Sequence, residues 1–171
     1  MDCTFKTSEG NFNYRVGTFI KDEGMNGKGR ILVVRNPAEA EGVYYSVGGR
    51  VQFGESLEQA VLRELNEETG IEFSPDDVWL CAIHENFFTA SNGIPFHEFS
   101  AFFQVKVTDQ LLKIQSGHLT KGGPSGEFLQ WIDLDDLEGK TIFPVFFLDE
   151  AFGKDKSVAH YVTKDGVCKK V

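Results

Sequence analysis

Residues 48–71 read GGRVQFGESLEQAVLRELNEETGI, and the reading of the fold turns on how this stretch winds. Ser56 followed by Gln59 is a capping-box pattern that starts a helix. Gly70 stands where a helix C-cap belongs. At 100° per residue from Leu57, Leu57, Val61 and Leu65 fall at about 0°, 40° and 80°, a core-facing stripe. Glu67, Glu64 and Glu68 fall at about 280°, 340° and 20°, while the centre of the wet face holds Gln59, Asn66 and Arg63. The acids therefore border the buried face, where solubilising charge is not expected. Carboxylates at i, i+3 and i+4 repel one another by a few tenths of a kcal/mol per pair in water, and by more where water is scarce. Something must offset that repulsion, and hard divalent cations, which take carboxylate oxygens, are the obvious candidates. Arg63, one turn before Glu67 and beside Glu64, can partly neutralise and orient the cluster.

Upstream, 13–21 and 29–35 read as strands joined by the Gly-rich turn 22–29, and 43–47 reads as a third, before glycines 48, 49 and 54 break regularity. Downstream, 78–89 and 97–108 form a β-rich pair around Ser91-Asn92-Gly93, a hairpin signal. Residues 109–126 read as an irregular excursion, and 127–133 returns as a strand through Trp131. The spacing predicts a second helix over 144–152, with Pro144 in its first turn. A last hairpin, 158–163 with 167–170, turns at Asp165-Gly166. One helix bracketed by strands, with a second helix late, indicates an α/β fold in which a mixed sheet is sandwiched by helices.

The chain has 171 residues, 41% of them hydrophobic and 25% charged. This fits one globular domain over 1–171 with a core of its own. The sixteen Phe residues lie mostly in strand-like runs. No apolar window is long enough for a membrane span, and the N-terminus lacks the apolar region of a secretory signal. Cys3, Cys81 and Cys168 are odd in number and far apart, which suits free thiols in a reducing cytoplasm. The net charge of −9 argues against binding polymeric nucleic acid, which needs basic patches. Residues 55–68 hold five acids and one Arg, hence −4 of that charge. An anionic substrate approaches such a site only with its charge bridged by metal.

Gly49, Glu55, then Arg63-Glu64-Leu65-Asn66-Glu67-Glu68-Thr69-Gly70-Ile71 match the Nudix box, G-x5-E-x7-R-E-U-x-E-E-x-G-U with U a bulky aliphatic, without departure. On these residues the chain resembles the Nudix (MutT-like) hydrolases. The resemblance implies an α/β/α sandwich with a mixed β-sheet and a catalytic loop–helix–loop. It implies hydrolysis of a pyrophosphate bond in a nucleoside diphosphate linked to another moiety. It also implies that Glu64, Glu67 and Glu68 bind Mg²⁺ or Mn²⁺, that Gly49 offers its carbonyl, that Glu55 supports the loop and that Arg63 positions Glu64. Glu64 or Glu68 is the expected base for the attacking water. A homodimer comes by analogy alone. Two other classes compete: a catalytically silent nucleotide sensor on the same fold, and a structural protein with an acidic Ca²⁺-binding helix. Neither needs the whole box.

Outside the box, Glu98 and Glu127 are candidates for a further metal ligand or base. Glu127 is preferred because it precedes Trp131, and WIDLDDL resembles the ending of many Nudix domains. Arg15 and Arg50 could grip phosphates, with surface pairing the plainer alternative. Phe87, Phe88, Phe96 and Phe99 could stack a base, although alternating burial explains most of them. His84-Glu85 begins like a zinc-protease motif, but position 88 is Phe and the segment reads as strand, so zinc is rejected. Residues 117–122 have P-loop spacing with Gly123 where Lys is required, a near-miss without weight. The substrate is not readable; selectivity should lie near 84–99 and in 109–126, because loops commonly carry recognition.

Overall fold

The computed structural model describes residues 1–24, 29–121 and 126–171. The strands are β1 (Thr4–Lys6), β2 (Asn11–Phe19), β3 (Lys21–Asp22), β4 (Arg30–Arg35), β5 (Val43–Ser46), β6 (Gly48–Arg50), β7 (Val78–Thr89), β8 (Pro95–Val105), β9 (His118–Leu119), β10 (Phe128–Asp133), β11 (Thr141–Phe143), β12 (Ala159–Lys164) and β13 (Val167–Lys170). The α-helices are α1 (Leu57–Thr69) and a single turn, α2 (Asp109–Leu112). Parts of the Gly-rich turn 22–29 and of the P-loop near-miss, at 25–28 and 122–123, lie outside the described residues.

Two mixed sheets replace the single one expected. The first runs β1-β2-β8-β7-β12-β13, with β6 added to β2; the second runs β11-β5-β4-β10-β9, with β3 added to β4. β2–β8, β7–β12 and β5–β11 are parallel and the other pairs antiparallel. The sheets meet where the chain crosses between them. Leu32 N–H donates to the Ile20 carbonyl (3.0 Å), and Thr18 N–H to that of Val47 (2.8 Å). Strand alternation reveals which residues face a core, but not at which edges two sheets part.

Period-two burial places alternate side chains in two cores. Leu32 and Val34 of β4 join Val16, Ala101 and Leu129 under Val61 and Leu65 of α1. Ile31 and Val33 face the other way, with Phe19, Phe102, Ile132 and Tyr161, under Phe146, Phe147 and Phe152. A bulge between Leu80 and Ala82 resets the alternation, so that Cys81 and Ala82 are both buried in that second core. The architecture is α/β, with α1 over one face of the sheets and 144–153 over the other.

Three expectations shift. The 144–152 segment forms only a 3₁₀ turn, Val145–Leu148, after an extended Pro144. Phe146 and Phe147 are adjacent and both buried, which no helical stripe satisfies. Gly48–Arg50 does not break regularity but pairs with Arg15–Gly17 as β6. The 109–126 excursion contains α2 and β9, and Lys121 N–H donates to the Glu67 carbonyl (3.1 Å), tying it to α1. Among the described residues no helix is long and apolar enough to cross a membrane.

Candidate active site

Helix α1 begins and ends as its sequence demands. Ser56 Oγ accepts from Gln59 N–H (3.2 Å) and Gln59 Oε1 from Ser56 N–H (2.9 Å), closing the capping box. Gly70 at φ 73° takes the left-handed turn that ends the helix, its N–H donating to Asn66 O (2.8 Å). These caps and the buried Val61 and Leu65 fix the rotation of α1. Glu64 and Glu68 are then 9% and 6% exposed, while the Glu67 side chain is 41% exposed. The helical angles anticipated that order.

Arg63 holds the cluster together. Its Nε and Nη2 donate to Glu55 Oε1 and Oε2 (2.8 and 3.0 Å), its Nη1 to Glu64 Oε1 (2.7 Å) and Glu67 Oε2 (3.2 Å), and Nη2 also to the Arg50 carbonyl (3.0 Å). Glu55 in turn accepts from Gln52 N–H (2.9 Å), which pins the loop before α1. The Arg63 hydrogen bonds hold the Glu55 carboxyl below its usual range. Charge-assisted bidentate pairing of this kind is among the strongest polar contacts available.

Gly49 lies against Glu64. A Cβ at position 49 would sit 2.4 Å from Glu64 Oε1, so only glycine lets β6 approach the carboxylate this closely.

Proton affinity rises toward the buried end. Burial pushes the Glu64 carboxyl up, against the pull of Arg63. Glu68 is pushed well above the carboxylate range, first by burial and then by the charges of Glu64 and Glu127, opposed by the Gly48 backbone and Arg15. Its Oε2 is buried without a hydrogen-bond partner. Native proteins rarely leave a buried carboxylate oxygen orphaned unless something else completes it.

Glu127, just before β10, is close enough to raise Glu68. Its own carboxyl is raised by burial, against a hydrogen bond from Asn36 and the charge of Arg15. Glu98 is instead tied to Arg15 (3.5 Å) and Asn13 Nδ2 (3.4 Å). Arg15 pairs with Glu98, and its charge is felt at Glu64, Glu68 and Glu127. Arg50 pairs with Asp2 (3.6 Å) at the surface and contributes its carbonyl to Arg63. His84 is strand, as expected, and hydrogen-bonds Thr163 (2.8 Å). Asn36 drew no attention in the sequence, because its pairing with Glu127 exists only through the β4–β10 register.

Three carboxylates, a glycine backbone against one of them and an orphaned buried oxygen fit a hard divalent cation in donor chemistry. Among the described residues, no three acidic, His or Cys side chains already converge to grip an ion. One oxygen each of Glu64 and Glu67 is engaged by Arg63, and the second oxygens remain.

Comparison with known proteins gives the family and the fold. The NUDIX domain family matches residues 14–150. The chain is 32% identical over 108 residues to the NAD-capped RNA hydrolase NudC of Stutzerimonas stutzeri, covering 63% of this chain and 33% of that protein. It thus spans about a third of that relative's length. In fold it is similar to the MutT protein of Bacillus halodurans (TM-score 0.63, 18% identity, 92% of this chain and 97% of that one). It is also similar to the NUDIX domain of Shewanella oneidensis NrtR, solved with ADP ribose (TM-score 0.57, 18% identity, 81% and 80%). With the box complete and the family match covering most of its length, the chain is a member of the NUDIX domain family.

Proposed function

We propose that this chain, acting as one domain, is a Mg²⁺- or Mn²⁺-dependent pyrophosphohydrolase that cleaves a nucleoside diphosphate linked to another moiety. The observation that carries the reading is the buried Glu64–Glu68 pair, gathered by Arg63 and left with an orphaned Glu68 oxygen. Two similar proteins support the substrate class: one is named for NAD-capped RNA and the other was solved with ADP ribose. Both NAD and ADP ribose carry adenosine on a diphosphate.

Glu64, Glu67, Glu68 and the Gly49 carbonyl are the groups to hold the cation. When bound, it would neutralise phosphate oxygens and favour ionisation of a water. Arg63 keeps Glu64 and Glu67 in one orientation through fixed hydrogen bonds. Glu64 or Glu68 takes the proton of the attacking water, with Glu127 as the additional acid beside Glu68. Arg15 attracts the diphosphate, and Glu98 holds Arg15 in place. The three free thiols accord with a cytoplasmic setting, and the net charge of −9 disfavours contact with a long polyanion.

The test is a panel of dinucleoside polyphosphates, nucleotide sugars, ADP-ribose and noncanonical nucleoside triphosphates, each assayed with Mg²⁺ and with chelator. Turnover that chelator abolishes is expected for at least one compound. Glu64→Gln and Glu68→Gln should each lower it by orders of magnitude without unfolding the chain. Near-normal turnover in both variants would refute their role.

A further inference from the structure

Glu67 and Glu68 stand in the last turn of α1, where the final carbonyls have no partner within the helix. The Asn66 carbonyl is taken by the Gly70 N–H (2.8 Å). The Glu67 carbonyl is taken from outside, by the Lys121 N–H (3.1 Å). A Cβ at Gly70 would meet the Lys121 ammonium at 3.8 Å, so this residue lies across the end of the helix.

The segment that brings Lys121 there is bonded along the start of β10. Trp131 donates from Nε1 to the Ile114 carbonyl and from its N–H to Ser116 Oγ (3.1 Å each). Gly117 N–H donates to the Leu129 carbonyl (2.8 Å) and Thr120 N–H to that of Glu127 (3.0 Å). Between them, β9 pairs Leu119 with Phe128. Burial does not account for this path: Leu119 is 63% exposed, and His118 and Lys121 are exposed as well. The adjacent residues Thr120 and Lys121 thus bond the backbones of Glu127 and Glu67. One peptide step joins the strand entry that presents Glu127 to the helix turn that presents Glu67 and Glu68.

We infer that Lys121 is a positioning residue, whose main-chain N–H keeps the last turn of α1 wound so that Glu67 and Glu68 hold their places for the cation beside Glu127. The inference rests on the hydrolytic reading for what these acids do, and it adds a backbone clasp separate from Arg63, which grips Glu67 only by its side chain. Helix ends fray where their carbonyls lack partners, and a frayed turn no longer buries Glu68. A peptide N–H does the work, so the side chain at position 121 is secondary.

Two measurements test the clasp, and neither needs turnover: amide hydrogen exchange without metal, and Mn²⁺ binding followed by electron paramagnetic resonance. In Lys121→Pro, which deletes the N–H, the amides of residues 68–70 should exchange about fivefold faster, the loss of one hydrogen bond. Its Kd for Mn²⁺ should rise about 10-fold, as when groups that orient metal ligands are removed. Lys121→Ala keeps the N–H and should stay within about twofold of the unmodified chain in both, since an exposed charge contributes little. If Lys121→Pro does not fold, an ester bond in place of the 120–121 peptide removes the same N–H and should act alike. Unchanged exchange or unchanged Mn²⁺ affinity in the variant lacking the N–H, equal weakening in Lys121→Ala, or no Mn²⁺ binding by the unmodified chain would overturn the inference. If no compound of the panel is hydrolysed while both measurements respond to the N–H, only the hydrolytic reading fails.

Discussion

Arg63 and Glu55 are joined by two parallel hydrogen bonds, Nε to Oε1 at 2.8 Å and Nη2 to Oε2 at 3.0 Å. The pair links the loop before α1 to the middle of the helix. It leaves Nη1 of the same guanidinium for Glu64 and Glu67. One planar group therefore sets the mutual positions of three carboxylates, a task that needs a fork of donors and not merely a positive charge.

Arg63→Lys tests this directly. The charge stays, but the two-pronged grip on Glu55 cannot be made together with contacts to Glu64 and Glu67. The expected loss is about 10–100-fold in kcat/KM, the size seen when groups that orient metal ligands are removed. Circular dichroism should be unchanged. Full activity in the lysine variant would mean that charge alone matters.

Gly49→Ala probes the close approach of β6 to the helix. The added methyl would lie 2.4 Å from Glu64 Oε1, against a carboxylate that Arg63 fixes from the other side. Displacing a reacting group by about 1 Å costs about 100-fold in rate, and a loss of that order is predicted. Wild-type turnover would show that Glu64 can move aside at no cost.

His84 supplies a pH dependence of stability apart from the box. It is buried, its Nε2 lies 2.8 Å from Thr163 Oγ1, and its ring meets Phe146 edge-on. Burial lowers its pKa from 6.5 to about 4. Between those values the unfolded chain binds the proton and the folded chain does not, so stability rises with pH across that window. The contribution is fully intact above pH 6.5 and is lost as pH falls toward 4, about 2 kcal/mol of it by about pH 5. Urea unfolding at about pH 7.5 and about pH 5 should show this loss, and His84→Leu should diminish it by about 2 kcal/mol. Equal pH dependence in both proteins would contradict the assignment.

The sequence made α1 legible to the residue, because its caps, its apolar stripe and its acids all follow local rules of spacing. The two hairpins were readable from alternation and turn residues, although the strand expected over 97–108 runs from Pro95 to Val105. What depends on long-range pairing was not. The division into two sheets follows from edges meeting at Ile20 and Val47, and no periodicity encodes that. The Pro144–Gly153 segment satisfies burial of Phe146 and Phe147 with a 3₁₀ turn, where proline position alone suggested a helix. Of the two acids weighed outside the box, the structure brings Glu127 toward Glu68 and ties Glu98 to Arg15. Of Phe87, Phe88, Phe96 and Phe99, weighed between base stacking and alternating burial, Phe88 and Phe96 stack on each other across the β7–β8 hairpin.

The most direct measurement is the anomalous scattering of Mn²⁺ in crystals of this chain soaked in the metal. The account predicts a peak bounded by Glu64, Glu67 and Glu68, close to the Gly49 carbonyl and absent from Glu68→Gln. A well-ordered site with no peak there, its three carboxylates turned apart into solvent, would contradict it.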